Sequence, residues 1–132
     1  MCIRDRLCDL GYDVSLETSG AIAVDTVDTR VIKVLDVKTP ASKEEAKNKL
    51  SNFEYLTDQD QVKFVICSED DYIWSKQLVE KHGLDALCEV LFSPCNGQLD
   101  ATQLADWILR DQLNVRFQVQ LHKYLWGDKP GV

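Results

Sequence analysis

The sequence lacks several features that mark particular classes of protein. No apolar run approaches the roughly 20 residues needed to span a bilayer, and the N-terminus has no uninterrupted apolar segment of the signal-peptide type. Basic residues are in the minority, since 15 Lys and Arg stand against 22 Asp and Glu for a net charge of -7. Because phosphate neutralisation supplies most nucleic-acid affinity, this balance argues against a nucleic-acid partner. We therefore expect a cytoplasmic protein that binds neither membranes nor nucleic acid.

The cysteines and histidines lack the spacing of disulfide frameworks and metal sites. The five cysteines are odd in number and scattered, and no two form a C-x-x-C pair. His82 and His122 are too far apart for a local metal motif. Cys67 and Cys88 lie in apolar runs, which predicts buried thiols. No nucleophile elbow, phosphate-cradling glycine loop or H-E-x-x-H motif is present, so spacing assigns no catalytic group.

What the sequence does contain is an alternation of apolar, β-branched runs with segments of helical character. The strand-like runs are Tyr12–Thr18, Arg30–Lys38, Gln61–Cys67, Glu89–Pro94 and Val115–His122. Within the second run, Val31–Leu35 has only Lys33 as a charged residue, which is typical of a parallel strand buried on both faces. The alternation predicts a single α/β domain with mostly parallel strands and right-handed crossovers.

Three predicted helices carry start signals. Ser42 and Glu45 form a capping box, Ser68 precedes three acidic residues, and Asp100 precedes an apolar-periodic segment. The residues expected to face the sheet or core are Ala46, Leu50 and Phe53 on the first helix, Trp74 on the second, and Leu104, Ala105, Trp107, Ile108 and Leu109 on the third.

The beginning of the chain differs from the rest in its sequence pattern. Residues 7–11 have the pattern of a final helical turn closed by Gly11, and a domain rarely opens on such a turn. We therefore expect residues 1–6 to be a non-native leader. Residues 7–132 are expected to be the C-terminal part of a single domain.

Polar and turn-forming residues follow four of the strand-like runs. These segments are Glu17–Gly20, Asp36–Pro40, Ser93–Gly97 and Gln118–Lys123. Because the carboxyl ends of parallel strands share one edge, we expect these segments to form one rim. Glu17 and Ser19 suit a ribose, Lys38 suits a carboxylate, and Ser93 with the turn at Asn96 offers groups to an adenine or a sugar.

Structural interpretations of the same residues stay open at this point. Thr-Ser-Gly and Asn-Gly are common turn sequences, and Lys38 alone is more often a solvated strand end. Gln118 and Gln120 fit the polar face of an edge strand as well as a site. His122 fits a structural imidazole or a ligand contact equally. Lys63 is either an edge residue, the more frequent case, or a paired functional ammonium if it is buried.

The ordered set of motifs ETSG, DVK, VKFVI, SP and LHK-x-LWG resembles the C-terminal half of the 7-carboxy-7-deazaguanine synthases. These are radical S-adenosylmethionine enzymes of queuosine and deazapurine biosynthesis. The resemblance runs from about Leu7 to Val132. It implies a partial, open (β/α) barrel and a homodimeric lyase that converts 6-carboxy-5,6,7,8-tetrahydropterin to 7-carboxy-7-deazaguanine. The implied cofactors are S-adenosylmethionine, a four-iron, four-sulfur cluster and Mg2+.

The resemblance also implies roles for individual residues. Asp36, Val37 and Lys38 match a cofactor-contacting tripeptide that is commonly Ser-Pro-Lys, so Asp36 departs from the usual serine. The second cofactor-contacting segment corresponds to Ser93, Pro94, Cys95 and Asn96, and Glu17 and Ser19 line the cofactor pocket. His122 matches a substrate-contacting histidine. Some relatives end soon after this histidine and bind substrate with the terminal carboxylate, a role that Asp128 or the carboxylate of Val132 would take here.

The cluster motif of the family, C-x-x-x-C-x-x-C or a variant, is absent from this sequence, as is the G-G-E-P strand end. Cluster thiolates must converge on the irons, and no three cysteines here lie close enough in sequence to predict this. We expect this chain alone neither to hold the cluster nor to turn over. Two alternatives to a part of the lyase remain: a non-catalytic α/β half-barrel that binds a small nucleoside-like or anionic ligand, and a structural remnant without activity.

Overall fold

The computed structural model describes residues 2–127. The strands are β1 (Ser15–Ser19), β2 (Ile32–Val37), β3 (Gln61–Ile66), β4 (Glu89–Pro94) and β5 (Arg116–Phe117). The helices are α1 (Ile3–Asp9), α2 (Glu69–His82), α3 (Leu84–Leu87), α4 (Ala101–Asp111) and α5 (Leu121–Trp126). Three 3₁₀ helices, Pro40–Ser42, Glu45–Lys47 and Leu50–Tyr55, connect β2 to β3.

The strands form one sheet in the order β1-β2-β3-β4-β5, and every neighbouring pair is parallel. In the part of the chain that the structure describes, β1 and β5 lie at opposite edges of the sheet and do not pair, so the sheet is not closed. The predicted α/β class and the partial, open barrel implied by the resemblance are confirmed.

This strand order explains why the two faces of the sheet differ. Each strand is added beside its predecessor in the same direction, and right-handed crossovers then put the connections on one face. On β2 the side chains of Lys33, Leu35 and Val37 are buried on that covered face, whereas Val34 and Asp36 on the other face are only half-buried. The prediction that β2 is buried on both faces is therefore wrong, and we call the second surface the open face.

Aromatic side chains fill the space between the sheet and the helices. The rings of Phe64 and Phe92 meet edge to face on adjacent strands with centroids 5.4 Å apart, and Tyr72 of α2 packs on Phe92 and Trp107. The Tyr72 hydroxyl donates to Asp111 Oδ2 at 2.6 Å. Hydrogen bonds from Arg110 and Tyr72 hold the pKa of Asp111 below its ordinary range.

The start signals of α2 and α4 are confirmed. Ser68 Oγ accepts from the Asp71 amide, Asp100 accepts from the Thr102 amide, and Gly83 ends α2 at φ +61°. One residue of the predicted α4 face is wrong, since Leu109 is 74% exposed. It lies about 140° around the helix from Leu104 at the α-helical pitch, and therefore points to solvent.

The predicted helix after Ser42 is also wrong, because the segment forms short 3₁₀ helices. Ser42 Oγ donates back to the Thr39 carbonyl at 2.6 Å and accepts from the Glu44 amide, so it forms a local turn. Lys43 adopts a left-handed conformation at φ +60°, which ends the helical path.

The predicted strand Val115–His122 contains only the two residues of β5. One further bond continues the pairing with β4, from the Gln118 amide to the Phe92 carbonyl at 3.0 Å. α5 then begins at Leu121, so His122 lies on a helix and not on a strand.

The N-terminal part of the predicted first strand belongs to a helix end. The Tyr12 amide bonds back to the Leu7 carbonyl, and Gly11 takes φ +87° as predicted for a helix terminus. α1 begins at Ile3, inside the segment expected to be a leader. That expectation stays a prediction.

The covered face contains a buried ion pair at the amino edge of the sheet. Lys33 Nζ lies 3.3 Å from Asp60 Oδ2, and both side chains are at most 2% exposed. Asp60 also accepts from the Lys33 and Thr57 amides at 2.8 Å each. These bonds satisfy the carboxylate, as a buried charge requires, and fasten the turn before β3 to β2.

Among residues 2–127, no helix combines the length and the apolar character that crossing a membrane would require.

Candidate functional site

A cavity of about 230 Å³ lies on the open face at the ends of β1 and β2. Its lining residues are Glu17, Thr18, Ser19, Val34, Asp36 and Lys63. Parallel pairing sets Ser19 beside Asp36, and Asp36 beside Lys63, so one register row delivers three polar side chains to the same place. Residues from the ETSG and DVK motifs, two of the four segments predicted to form one rim, therefore share one cavity. The cavity is smaller than the roughly 300 Å³ minimum typical of ligand sites, so it suits one end of a ligand.

Lys38 follows β2 and forms an ion pair with a lining residue of this cavity. Its Nζ lies 2.6 Å from Asp36 Oδ2, and both side chains are about one-third exposed. A ligand carboxylate at Lys38 would share the ammonium with Asp36. Val37, between them, has its side chain buried in the core. Only the backbone of Val37 remains for a ligand contact.

Asn48 holds the backbone of Lys38 from both sides. Its Oδ1 accepts from the Lys38 amide at 3.0 Å, and its Nδ2 donates to the Lys38 carbonyl at 2.8 Å. The same side chain lies against Gly20, where an added Cβ would be 3.1 Å from Asn48 Oδ1 and 3.3 Å from the Asp36 carbonyl. Glycine therefore allows the turn after β1 to approach the end of β2 closely.

Asn52 holds the loop after β1 in a similar way. Its Nδ2 donates to the carbonyls of Gly20 and Ile22 at 3.2 and 2.8 Å, and its Oδ1 accepts from the Val24 amide at 3.1 Å. The side chain is 1% exposed, so these bonds form away from competing water. The two asparagines thus fasten the ends of β1 and β2 together.

Asp71 fastens the turn after Lys38 to the first turn of α2. Its carboxylate accepts from Thr39 Oγ1 at 3.0 Å, from the Ala41 amide at 2.9 Å and from the Cys67 amide at 3.0 Å. The residue is 1% exposed. One buried carboxylate therefore joins the segments that follow β2 and β3.

The turn Ser93–Asn96 follows β4 and lies beside a second cavity. Pro94 and Asn96 line this cavity of about 110 Å³, and Lys123 and Gln120 line it from the other side. Ser93 is buried, with 2% of its surface exposed. The structure places this turn at the same edge as Lys38, but in a cavity of its own.

The Cys95 residue of that turn is fastened to β3. Its amide donates to the Ile66 carbonyl at 2.8 Å. Burial, together with a hydrogen bond to the Cys95 thiol, raises the pKa of the neighbouring Cys67 thiol to about 12. Cys67 is half-buried, whereas Cys88 is buried as predicted. A thiol with such a pKa is mostly protonated at neutral pH and is a poor nucleophile.

Of the substrate residues implied by the resemblance, the structure describes His122. His122 lies exposed on α5 and lines neither cavity. Asp128 and Val132 lie outside the described residues, so their predicted contact stays a prediction.

Within residues 2–127, no three His, Cys, Asp or Glu side chains are grouped to hold a metal ion. The described residues therefore do not fit an iron-sulfur cluster, and we assign none of them to it. They do offer the carboxylates, hydroxyl and ammonium that a ribose and an amino-acid group require.

The sequence analysis assigns none of Asn48, Asn52 and Asp71 to the site, and it interprets Lys63 mainly as an edge residue. β3 is the central strand, so Lys63 is not on an edge. A weak signal existed for the asparagines, which are poor helix formers inside a predicted helix. Asp71 carried only the signal of a helix N-terminus.

Comparison with known proteins finds the same relatives as the motifs. The 7-carboxy-7-deazaguanine synthase of Chlorobaculum tepidum is 43% identical, over 98% of this chain and 61% of the relative. The chain is related in sequence to 7-carboxy-7-deazaguanine synthases. The synthases of Koribacter versatilis and Thermoplasma acidophilum are 38% and 35% identical, over 92% and 94% of this chain and 60% and 59% of theirs.

The chain thus spans about 60% of the length of these synthases, which is consistent with the C-terminal portion indicated by the motifs. No protein-family profile matches the chain. The resemblance stated from the ETSG, DVK and LHK-x-LWG motifs is confirmed.

Proposed function

We propose that this chain supplies part of the S-adenosylmethionine and substrate pocket of a radical lyase. That enzyme converts 6-carboxy-5,6,7,8-tetrahydropterin to 7-carboxy-7-deazaguanine in queuosine and deazapurine biosynthesis. The main support for the proposal is the open-face cavity, where residues of the ETSG and DVK motifs meet. Glu17 and Ser19 come from the first motif, and Asp36 with its partner Lys38 from the second.

The proposed roles follow from the chemistry of the groups present. The Glu17 carboxylate and Ser19 hydroxyl accept and donate hydrogen bonds to a ribose, and Lys38 shares its ammonium between Asp36 and a ligand carboxylate. The backbone of Val37 and the turn of Ser93, Pro94, Cys95 and Asn96 complete the cofactor contacts. His122 and Asp128 are the proposed substrate contacts.

The cofactors supply radical chemistry when they are bound in the whole enzyme, and the residues of this chain bind and orient. Asn48 holds the backbone of Lys38, Asp71 holds the turn that follows it, and the ion pair with Asp36 orients the Lys38 ammonium. Preorganised groups bind without ordering costs at the moment of association. We further propose that this chain by itself holds no cluster, needs Mg2+ and the cluster from the whole enzyme, and does not turn over.

Calorimetric titration of the chain with S-adenosylmethionine tests this proposal. Glu17→Gln and Lys38→Met should each weaken binding by about tenfold, the value of one charge-assisted hydrogen bond. Lys81→Met is the matched control, because Lys81 is exposed at the far end of α2. Absence of binding to the unsubstituted chain would contradict the proposal.

A second measurement concerns the cluster. After anaerobic treatment with iron and sulfide, the chain should show no absorbance band at about 400 nm. Brown colour with such a band would show that the chain holds a cluster by itself.

The alternative function is a half-barrel that binds a nucleoside-like or anionic ligand without catalysis. The polar lining of the cavity favours it, because Glu17, Ser19 and Lys63 suit such a ligand whether or not a cluster is bound. The same titration separates the two functions. Adenosine that binds as tightly as S-adenosylmethionine would favour the half-barrel, whereas a clear preference for S-adenosylmethionine would favour the lyase pocket.

A further inference from the structure

Two lysines on neighbouring central strands have opposite surroundings. Lys33 of β2 faces the covered side and is neutralised by Asp60 at 3.3 Å. Lys63 of β3 faces the open side, because its neighbours Val62 and Phe64 are fully buried in the covered face. Lys33 thus has a buried carboxylate partner, whereas Lys63 lines a cavity.

The carboxylates that line the open-face cavity form no ion pair with Lys63 among the described residues. The carboxylate beside it in the register, Asp36, is engaged by Lys38 at 2.6 Å. Glu17 also lines the cavity but lies beyond ion-pair distance. Within residues 2–127, no carboxylate lies within 4.0 Å of the Lys63 ammonium.

The position of Lys63 argues against a solvated strand-end lysine. β3 has two strands on either side, and Lys63 is the third of its six residues. The residue is half-buried, and its ammonium has no carboxylate within ion-pair distance among the described residues. An anionic group that enters the cavity would supply the missing counter-charge and gain a charge-assisted hydrogen bond.

We propose that Lys63 binds the carboxylate of a carboxylated heterocyclic ligand in the open-face cavity. The proposal rests on the proposed function, since the pterin substrate implied there carries one carboxylate. It adds the group that would recognise this carboxylate. Because Lys38 is already paired with Asp36, Lys63 is the cation in this cavity without a carboxylate partner among the described residues.

Three probes separate the carboxylate from the ring. They are 6-carboxypterin, pterin without the carboxylate, and benzoate as an aromatic carboxylate without the pterin ring. The full chain, labelled with 13C-lysine, is titrated with each probe while the ε-methylene signal of Lys63 is followed by NMR. Lys63→Met identifies this signal, Lys63→Arg tests rescue by a second cation, and Lys81→Met is the distant control.

We expect 6-carboxypterin and benzoate to shift the Lys63 signal, and pterin to leave it in place. Lys63→Met should weaken 6-carboxypterin binding about tenfold, to the level of pterin, and Lys63→Arg should restore most of it. Lys81→Met should bind all probes like the unsubstituted chain.

The remaining outcomes distinguish the two proposals. If 6-carboxypterin and pterin both fail to bind but benzoate still shifts the Lys63 signal, the anion site stands and the lyase pocket is contradicted. If 6-carboxypterin binds Lys63→Met as tightly as it binds the unsubstituted chain, the role of Lys63 is refuted and the lyase pocket stands. If no probe shifts the Lys63 signal, the carboxylate site is refuted.

Discussion

The buried Asp71 carboxylate offers the sharpest test of how the site is held. In Asp71→Asn, one of the two acceptor oxygens becomes an NH2 donor. Oδ2 accepts from both Thr39 and Cys67 and Oδ1 accepts from Ala41, so the less costly orientation places the new NH2 against the Ala41 amide. One charge-assisted bond is then lost, two donors face each other, and the other two bonds lose their charge.

The magnitude follows from these contacts. A hydrogen bond to a charged group contributes roughly 1.5–3 kcal/mol, and an unsatisfied buried donor costs a similar amount. We therefore expect Asp71→Asn to lower the free energy of unfolding by about 3 kcal/mol. Asp70→Asn is the matched control, because Asp70 lies in the same first turn of α2 but is exposed. It should lose only the helix-dipole term of about 0.3–1 kcal/mol.

Urea unfolding followed by far-UV circular dichroism measures both variants. The midpoint should fall while the slope stays constant, which marks a change in native stability alone. Hydrogen exchange at the Ala41 and Cys67 amides should accelerate in Asp71→Asn and not in Asp70→Asn. Two variants whose stabilities agree within about 0.5 kcal/mol would refute the role given to this carboxylate.

Three other predictions follow from the packing and the charges. Urea unfolding should show a loss of about 3 kcal/mol for Leu104→Ala and less than about 0.5 kcal/mol for Leu109→Ala; equal losses would contradict the α4 face. Because the folded-state pKa of Asp111 is lowered, the stability it contributes is present above its ordinary pKa of 3.8 and is lost as the pH falls through and below that value. The thermal unfolding midpoint of Asp111→Asn should therefore depend less on pH in this acidic range than that of the unsubstituted chain. The same pH dependence in both chains would exclude a contribution from Asp111. Gly20→Ala should cost about 1–3 kcal/mol by overpacking, checked by its unfolding midpoint.

The strands show which boundaries the local sequence pattern predicts correctly. β3 and β4 lie within one residue of their predicted bounds, because apolar, β-branched runs between turn residues are hard to accommodate in any other element. β5 was predicted too long, since Val119 and Gln120 also alternate in polarity although they precede a helix. Alternation alone does not say where pairing with β4 ends.

The helix starts illustrate the competition between local and tertiary bonds. Ser68 caps α2 as predicted, and Tyr72 and Val79 of the segment after it are buried. Ser42 has an equally good local signal, but Asn48 and Asn52 in the following segment bond to the ends of β1 and β2 instead. Side-chain amides that satisfy distant backbone groups compete with helix formation.

The sequence by itself determined the parallel α/β architecture, the caps of α2 and α4, and the motifs that relate the chain to the 7-carboxy-7-deazaguanine synthases, because each of these depends on residues close together along the chain. Tertiary structure alone decided that Lys63 faces a cavity while Lys33 is buried in an ion pair. It also decided that Asn48 holds Lys38 in place. Both results depend on strand order and register, which bring together side chains that are distant in sequence. Local sequence patterns do not predict which distant side chains meet.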